Sequence, residues 1–484
     1  MPEESLKKKT VKGMFWSSLE RFSVQAVQFL VMIVIARLLS PEEYGLIGML
    51  AIFIAVSQSL VNSGFSQALI RKQNRSDKDN CTVFYFNIVV SLVLYLVLFL
   101  LAPSVARFYK EPILCDVLRV ISIGIIINSL VVVQLAIYTT ALDFRTQAKA
   151  SFSGAVVSGF VGIYLAYSGF GVWALVWQQL VNYSVIAIIL WIYSKWFPKL
   201  TYSWKSFREL FGFGSKLMLS GLLDTTYNNA YQLVIGKFFS ASTLGFYSRA
   251  YHFSEFPSSN INNVVQRVTY PVLCSMQDND SKLREVYRKF LRLSAFIIFP
   301  LMCLLAGVAF PFIEVILGEQ WRFVSVLLIP ICFNMMWYPI HSINLNLLQV
   351  KGRSDLFLKL EIIKKCFGCL FLVCSVPFGV IAMCYVGIVQ SLVSLVINTY
   401  YSGKLIGVGF LMQIRDLSLT LILSLSTFGL VFLFCSMDGD KYLLLFGGAG
   451  LGAMFFMLSS WVFRFKEIDY LKDLLLNNKR NYDN

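Results

Sequence analysis

Nine side chains that are costly in hydrocarbon sit inside long apolar stretches of this chain. Arg21, Lys216 and Arg249 are cationic, Asp224 and Glu255 are acidic, and Gln25, Gln28, Asn228 and Asn262 are neutral hydrogen-bonding groups. Ionisable groups within a membrane usually face a bundle interior or a water-filled cavity and mark a substrate or ion pathway. Arginine grips phosphate as a fork and lysine as a point charge, so the three cations suit a diphosphate or an acidic sugar. Together with the four amides they are the candidate substrate-binding set. Asp224 and Glu255 are the carboxylates best placed for ion or proton coupling.

Spacing groups these residues into stripes. In the first apolar stretch Ser18, Arg21, Gln25 and Gln28 fall at i, i+3, i+7 and i+10, one face of a helix. In the second, Gln58, Asn62 and Ser66 recur every four residues. The seventh carries Lys216, Ser220, Asp224, Asn228 and Gln232. The eighth carries Arg249, His252, Glu255, Ser259, Asn262 and Gln266, with Pro257 expected to interrupt or kink it. The plainer reading is that such residues bond helices to one another. It serves for the serines and amides taken singly. Five formal charges on equivalent stretches favour a polar lumen, although Arg249 also lies close enough to a helix end to snorkel.

The elements that position these residues are membrane spans. Hydrophobic residues make up 57% of the chain and charged residues 14%, too apolar for an ordinary soluble protein. A spanning helix needs about 20 mostly apolar residues. Fourteen such stretches are expected, near 14–39, 43–69, 81–103, 114–141, 148–168, 171–194, 210–238, 245–270, 290–317, 323–349, 356–376, 379–402, 416–436 and 442–463. A transmembrane barrel would alternate apolar with polar residues, and 88–102 is continuously apolar, so the expected fold is an all-α polytopic membrane protein. With the N-terminus inside, the inner loops and tails carry 28 Lys and Arg and the outer loops carry Arg107, Lys110, Arg322 and Lys441. That asymmetry is the positive-inside signal, with both termini cytoplasmic. It accounts for the net charge of +15 through anionic membrane lipid rather than nucleic acid.

The chain also repeats itself. Ala36–Ser40 through Gly45 answers Gly236–Ser240 through Gly245 at an offset of 200, and Phe170-Gly171-Val172 answers Phe378-Gly379-Val380 at an offset of 208. The later offset also pairs Pro103 with Pro311 and Arg145 with Arg353. The expected unit is six helices. An even number makes the copies parallel repeats, and transporters built this way bind substrate between halves and alternate access. The expected organisation is a lobe at 1–200, a lobe at 201–410, and two additional helices with a cytoplasmic tail at 411–484.

Several functions are disfavoured. There is no GxxxxGK[ST] phosphate loop for an ATPase. Cys366 and Cys369 form a CxxC without a second pair, and there are two histidines, so no metal site and no cofactor are expected. No cleavable signal peptide is expected, because the first apolar stretch is too long and lacks a small-residue cleavage site. No carboxylate or histidine constellation stands on the short outer loops, so enzymatic chemistry is not expected.

The segment Ala36-Arg37-Leu38-Leu39-Ser40-Pro41-Glu42-Glu43-Tyr44-Gly45 resembles the start of the polysaccharide-transport, Wzx-like branch of the multidrug/oligosaccharidyl-lipid/polysaccharide exporter superfamily. Ser63-Gly64-Phe65, Leu244-Gly245-Phe246-Tyr247-Ser248-Arg249-Ala250, Tyr270-Pro271-Val272-Leu273, Gly318-Glu319-Gln320-Trp321 and Lys351-Gly352-Arg353 match further elements in order, to about residue 410. The resemblance implies two six-helix lobes around a V-shaped cavity lined by helices one, two, seven and eight, where the stripes lie. It implies a flippase of the bacterial inner membrane, with an undecaprenyl-diphosphate-linked oligosaccharide as cargo and polysaccharide polymerase and chain-length machinery as partners. One departure is that helix two lacks an arginine, unlike peptidoglycan-precursor flippases, which favours O-antigen, capsule or exopolysaccharide units. A cation-coupled multidrug exporter of the same fold is the first rival, and a membrane glycan polymerase the second.

Overall fold

The computed structural model describes residues 3–62, 64–72, 74–465 and 467–468, and their side chains except at 3–15, 17–21, 213, 216 and 217. Every regular element among them is helical. The chain divides into two compact units, Met1–Gly245 and Phe246–Asn484.

The first unit contains α1 (Glu3–Leu38), α2 (Pro41–Asn62), α3 (Phe65–Arg71), α4 (Asp77–Tyr109), α5 (Leu114–Ile121), α6 (Ile123–Ser129), α7 (Val132–Thr140), α8 (Phe144–Tyr167), α9 (Val172–Ile192), α10 (Trp204–Asn228) and α11 (Ala230–Phe238). The start of α12 (Ala241–Cys274) also belongs to it. Polar caps set several of these helices. Ser76 and Asp79 form a reciprocal capping box at α4, and Asp143 and Ser203 cap α8 and α10. Phe65, Leu69, Val83, Phe84, Val133 and Leu210 form a buried core under α3, α4, α7 and α10. Val89, Val93, Leu96 and Leu100 are exposed along α4, as befits a surface solvated by lipid.

The second unit continues α12 and adds α13 (Asp280–Gly307), α14 (Ala309–Ile316), α15 (Arg322–Met335), α16 (Tyr338–Val350), α17 (Ser354–Ser375), α18 (Gly379–Ile406), α19 (Phe410–Cys435) and α20 (Lys441–Val462). Its axis is α13, packed against α15, α16, α19 and α20. Leu291, Ile298, Phe299 and Met302 on α13 are fully buried, and the Phe299 ring lies 4.9 Å from that of Trp337.

Each expected apolar stretch coincides with helix. Among the described residues, ten helical stretches are long and apolar enough to cross a membrane. One runs over Ser354–Ile406. At 1.5 Å per residue it would be about 80 Å long, more than twice the hydrocarbon thickness. It is two helices, α17 and α18, turned at Gly379 with φ +89°. Its offset-208 counterpart Gly171 turns α8 into α9 with φ +56°, the left-handed region that favours glycine. Among the described residues α1 adds a shorter apolar helix, Phe22–Leu38.

Two local findings depart from the simplest expectation. Helix eight is not interrupted at Pro257: α12 runs continuously through Pro257 and Pro271, since bundle neighbours can re-satisfy the backbone groups proline frees. Helix seven is broken instead, with α10 ending at Asn228 and α11 starting at Ala230. Within the first unit, the starts of α2 and α12 touch backbone to backbone. A Cβ on Gly45 would collide with the Ala241 carbonyl oxygen, and one on Gly245 with that of Pro41. The contact is reciprocal at the offset of 200.

Candidate functional site

In the first unit, the described candidates lie on α1 and α10. Gln25 on α1 is half-buried, and its buried Oε1 has no hydrogen-bond partner among the described residues. Gln28, one turn on, is exposed. Asp224 and Asn228 on α10 are exposed, and the helix breaks immediately after Asn228. Asn229 turns its side chain back onto the Thr225 carbonyl at 2.8 Å. Broken backbone at membrane depth is tolerated where protein buries it or water fills a cavity beside it. The side chains of Arg21 and Lys216 lie outside the described residues.

The second helix behaves differently from its neighbours. Gln58 donates to the Tyr183 hydroxyl on α9 at 2.6 Å, and Asn62 accepts from Asn128 on α6 at 3.1 Å. These side chains bond helices together inside the first unit, the plainer of the two readings of a polar stripe.

In the second unit, α12 presents the most complete array. Arg249 is half-buried, while His252 and Glu255 are exposed. Tyr251 and Tyr338 lie within electrostatic reach of the Glu255 carboxylate, and the Tyr247 and Tyr251 rings stack with centroids 6.1 Å apart. Farther along, Asn262 is buried, with Oδ1 lacking a partner among the described residues. Ser258 donates to the Met335 carbonyl at 2.7 Å, and Gln266 accepts from Asn346. The stripe is therefore graded. His252 and Glu255 are exposed and Arg249 half-buried, while Ser258 and Gln266 fasten α12 to α15 and α16.

Outside these stripes the second unit holds polar groups that span counting overlooked. Tyr287, Asn344, Ser402 and Gln413 form a closed network on α13, α16, α18 and α19. Tyr287 donates to Asn344 at 2.7 Å, and Gln413 Nε2 lies 3.0 Å from Asn344 Oδ1 and 3.1 Å from Ser402 Oγ. All four are buried. Arg288 grips Asp416 with two bonds of 2.6 Å, and Arg284 donates to the Ile406 and Gly407 carbonyls that end α18. His341 lies 2.9 Å from Ser391 and 3.3 Å from Asn398, and Lys364 pairs with Glu361 on α17. The signal for the last pair was available, since both charges interrupt the apolar stretch 356–376.

At the expected inner end of the first unit, Lys72 bonds Asp79 at 3.1 Å and Glu209 at 3.0 Å, tying the start of α10 to the turn before α4. Burial opposes the ammonium, but the bonds to Glu209 and Asp79 outweigh it and raise the Lys72 pKa above its ordinary value. Among the described residues no three His, Cys, Asp or Glu side chains converge as a metal site.

A family model described as a polysaccharide biosynthesis protein matches residues 34–326. The teichuronic acid biosynthesis protein TuaB of Bacillus subtilis (strain 168) is 25% identical over 359 residues, 73% of each chain. The lipopolysaccharide biosynthesis protein WzxC of Escherichia coli (strain K12) is 24% identical over 366 residues, 74% of each. The succinoglycan biosynthesis transport protein ExoT of Rhizobium meliloti (strain 1021) is 24% identical over 316 residues, 65% of this chain and 64% of that one. Among solved structures, the lipid II flippase MurJ in an inward closed conformation matches with TM-score 0.76 and 14% identity, covering 93% of this chain and 98% of that one. An inward-facing multidrug resistance MATE family transporter matches with TM-score 0.60 and 17% identity, covering 78% and 95%. At those identities the likeness is one of fold.

Proposed function

Since the chain belongs to the polysaccharide biosynthesis protein family whose model spans residues 34–326, we propose that it is a flippase for polyprenyl-diphosphate-linked oligosaccharide. It carries O-antigen, capsule or exopolysaccharide units from the inner to the outer leaflet of a bacterial inner membrane by alternating access, with no covalent chemistry. The observation that carries this reading is the family match, joined to relatives named for teichuronic acid, lipopolysaccharide and succinoglycan biosynthesis. The fold shared with MurJ and MATE transporters supports a carrier architecture. In this reading fourteen helices cross the bilayer with both termini inside, and the lobes are the duplicated halves 1–200 and 201–410, followed by the final pair of helices.

The diphosphate and sugars travel among hydrated polar side chains while the polyprenyl tail stays in lipid. Arg21, Lys216 and Arg249 hold the diphosphate electrostatically, and Gln25, Gln28, Asn228 and Asn262 offer hydrogen bonds to phosphate and sugar hydroxyls. An exposed side chain such as Gln28 can bind and release a polar headgroup. Buried, unpartnered amide oxygens such as those of Gln25 and Asn262 gain most from a ligand hydroxyl. Asp224 and Glu255 couple movement to an ion or proton.

Leaflet transfer in proteoliposomes tests the reading. The probe is a fluorescent polyprenyl-diphosphate sugar, with dithionite quenching reporting the outward-facing fraction. Transfer dependent on this protein is the expected result. Absence of transfer, together with protein-dependent extrusion of cationic dyes, would assign the chain to drug export instead.

A further inference from the structure

The second unit contains a cavity of about 720 Å³ that none of the stripes touches. It lies where α14 and the end of α19 meet the starts of α15 and α20, the face that the charge pattern of the loops places outside. Its volume falls within the range of roughly 300–1,000 Å³ typical of small-molecule sites. Phe310 and Phe432 supply aromatic wall, and Glu314, Arg322, Asp438 and Lys441 supply polar groups. Glu314 and Lys441 face each other at 3.7 Å, both about two-fifths exposed.

The charge balance narrows the ligand. Asp440 also lines the cavity, but it caps α20, accepting from the Tyr442 and Leu443 amides at 2.9 and 3.2 Å. With it the lining holds three carboxylates against two cations, a small excess of negative charge. An anion would gain nothing from such a set, and the carboxylates do not converge as metal ligands. Donors and acceptors together with two phenylalanines match a polyol, whose hydroxyls both give and take hydrogen bonds while its C–H faces pack on rings.

We infer that this outer cavity is a saccharide-binding site, separate from the diphosphate-gripping residues, which receives the glycan part of the cargo on the far side of the membrane. The inference rests on the flippase reading and gives α19 and α20, which lie outside the duplication, a part in it. The Glu314–Lys441 pair opens to admit sugar hydroxyls, and Phe432 offers a stacking face.

The test uses the full chain in nanodiscs and an array of water-soluble bacterial repeat-unit oligosaccharides lacking any lipid. Binding to a subset is expected, weakened about fivefold by Lys441→Ala or Phe432→Ala and restored by Lys441→Arg, as for the loss of one or two good contacts. A diazirine derivative of the bound glycan, applied to unaltered protein, should crosslink within 432–444. Absence of glycan binding above empty nanodiscs, binding indifferent to these substitutions, crosslinks confined elsewhere, or occupation of the cavity by a protein partner would each overturn the inference. Leaflet transfer without soluble-glycan binding would sink this site and leave the flippase reading intact. Glycan binding without leaflet transfer would do the reverse.

Discussion

Arg249 concentrates the residue-scale argument, because it stands half-buried on α12 beside open His252 and Glu255. If it grips a diphosphate, Arg249→Ala should lower polymer export about tenfold, the worth of a charge-assisted hydrogen bond, while the amount of membrane-inserted protein stays the same. Surface polymer measured against an immunoblot checks this, and normal export at equal protein level counts against the assignment. Glu255→Gln keeps shape and removes charge. It should abolish the response of leaflet transfer to an imposed proton or sodium gradient while downhill exchange persists; an unaltered gradient response would remove Glu255 from coupling. Much of this was legible in the sequence. The stripe on the eighth stretch is a real helical face, and its charges stood out against an apolar background. The split between exposed His252 and Glu255 and the fastening Ser258 and Gln266 was not legible, because it depends on α15 and α16, elements far away in the chain.

Among the elements, the break between α10 and α11 and the touching starts of α2 and α12 matter most. Asn228-Asn229 gave no strong breaker signal in the sequence, since neither glycine nor proline is present, so the interruption of helix seven had no local cue. The glycine pair did have a cue, because Gly45 and Gly245 match at the offset of 200, but spacing alone says nothing of backbone contact. Gly45→Ala should place a methyl group on the Ala241 carbonyl and cost about 1–3 kcal/mol through overpacking. Gly245→Ala should do the same against Pro41. Once one substitution has pushed the helix starts apart, the second should cost little more, so the double variant should melt close to either single one. Thermal unfolding in detergent decides this, and strictly additive losses would show that the two contacts act independently.

For the whole molecule, orientation carries the prediction. The proposed topology, read from loop charge, has both termini inside and the α19–α20 turn outside. Alkaline phosphatase fused after Gly439 should be active and after Asn279 inactive, with a cytoplasmic reporter giving the opposite pattern; a reversal would invert the proposed direction of transport. Loop charge and apolar length were plain in the sequence because the bilayer imposes them residue by residue. The network that joins α13, α16, α18 and α19 escaped notice, since Tyr287, Asn344 and Gln413 look like scattered singletons until folding gathers them. That network bears on the last two helices. Gln413 near the start of α19 bonds Tyr287 and Asn344 deep in the second unit. Truncating the chain before it would remove the Gln413 bonds and leave Tyr287 and Asn344 to each other and to Ser402. The final hairpin is thus no ornament clipped onto a finished carrier: a shorter chain of this build would have to find another cover for the face of α13 on which α19 lies.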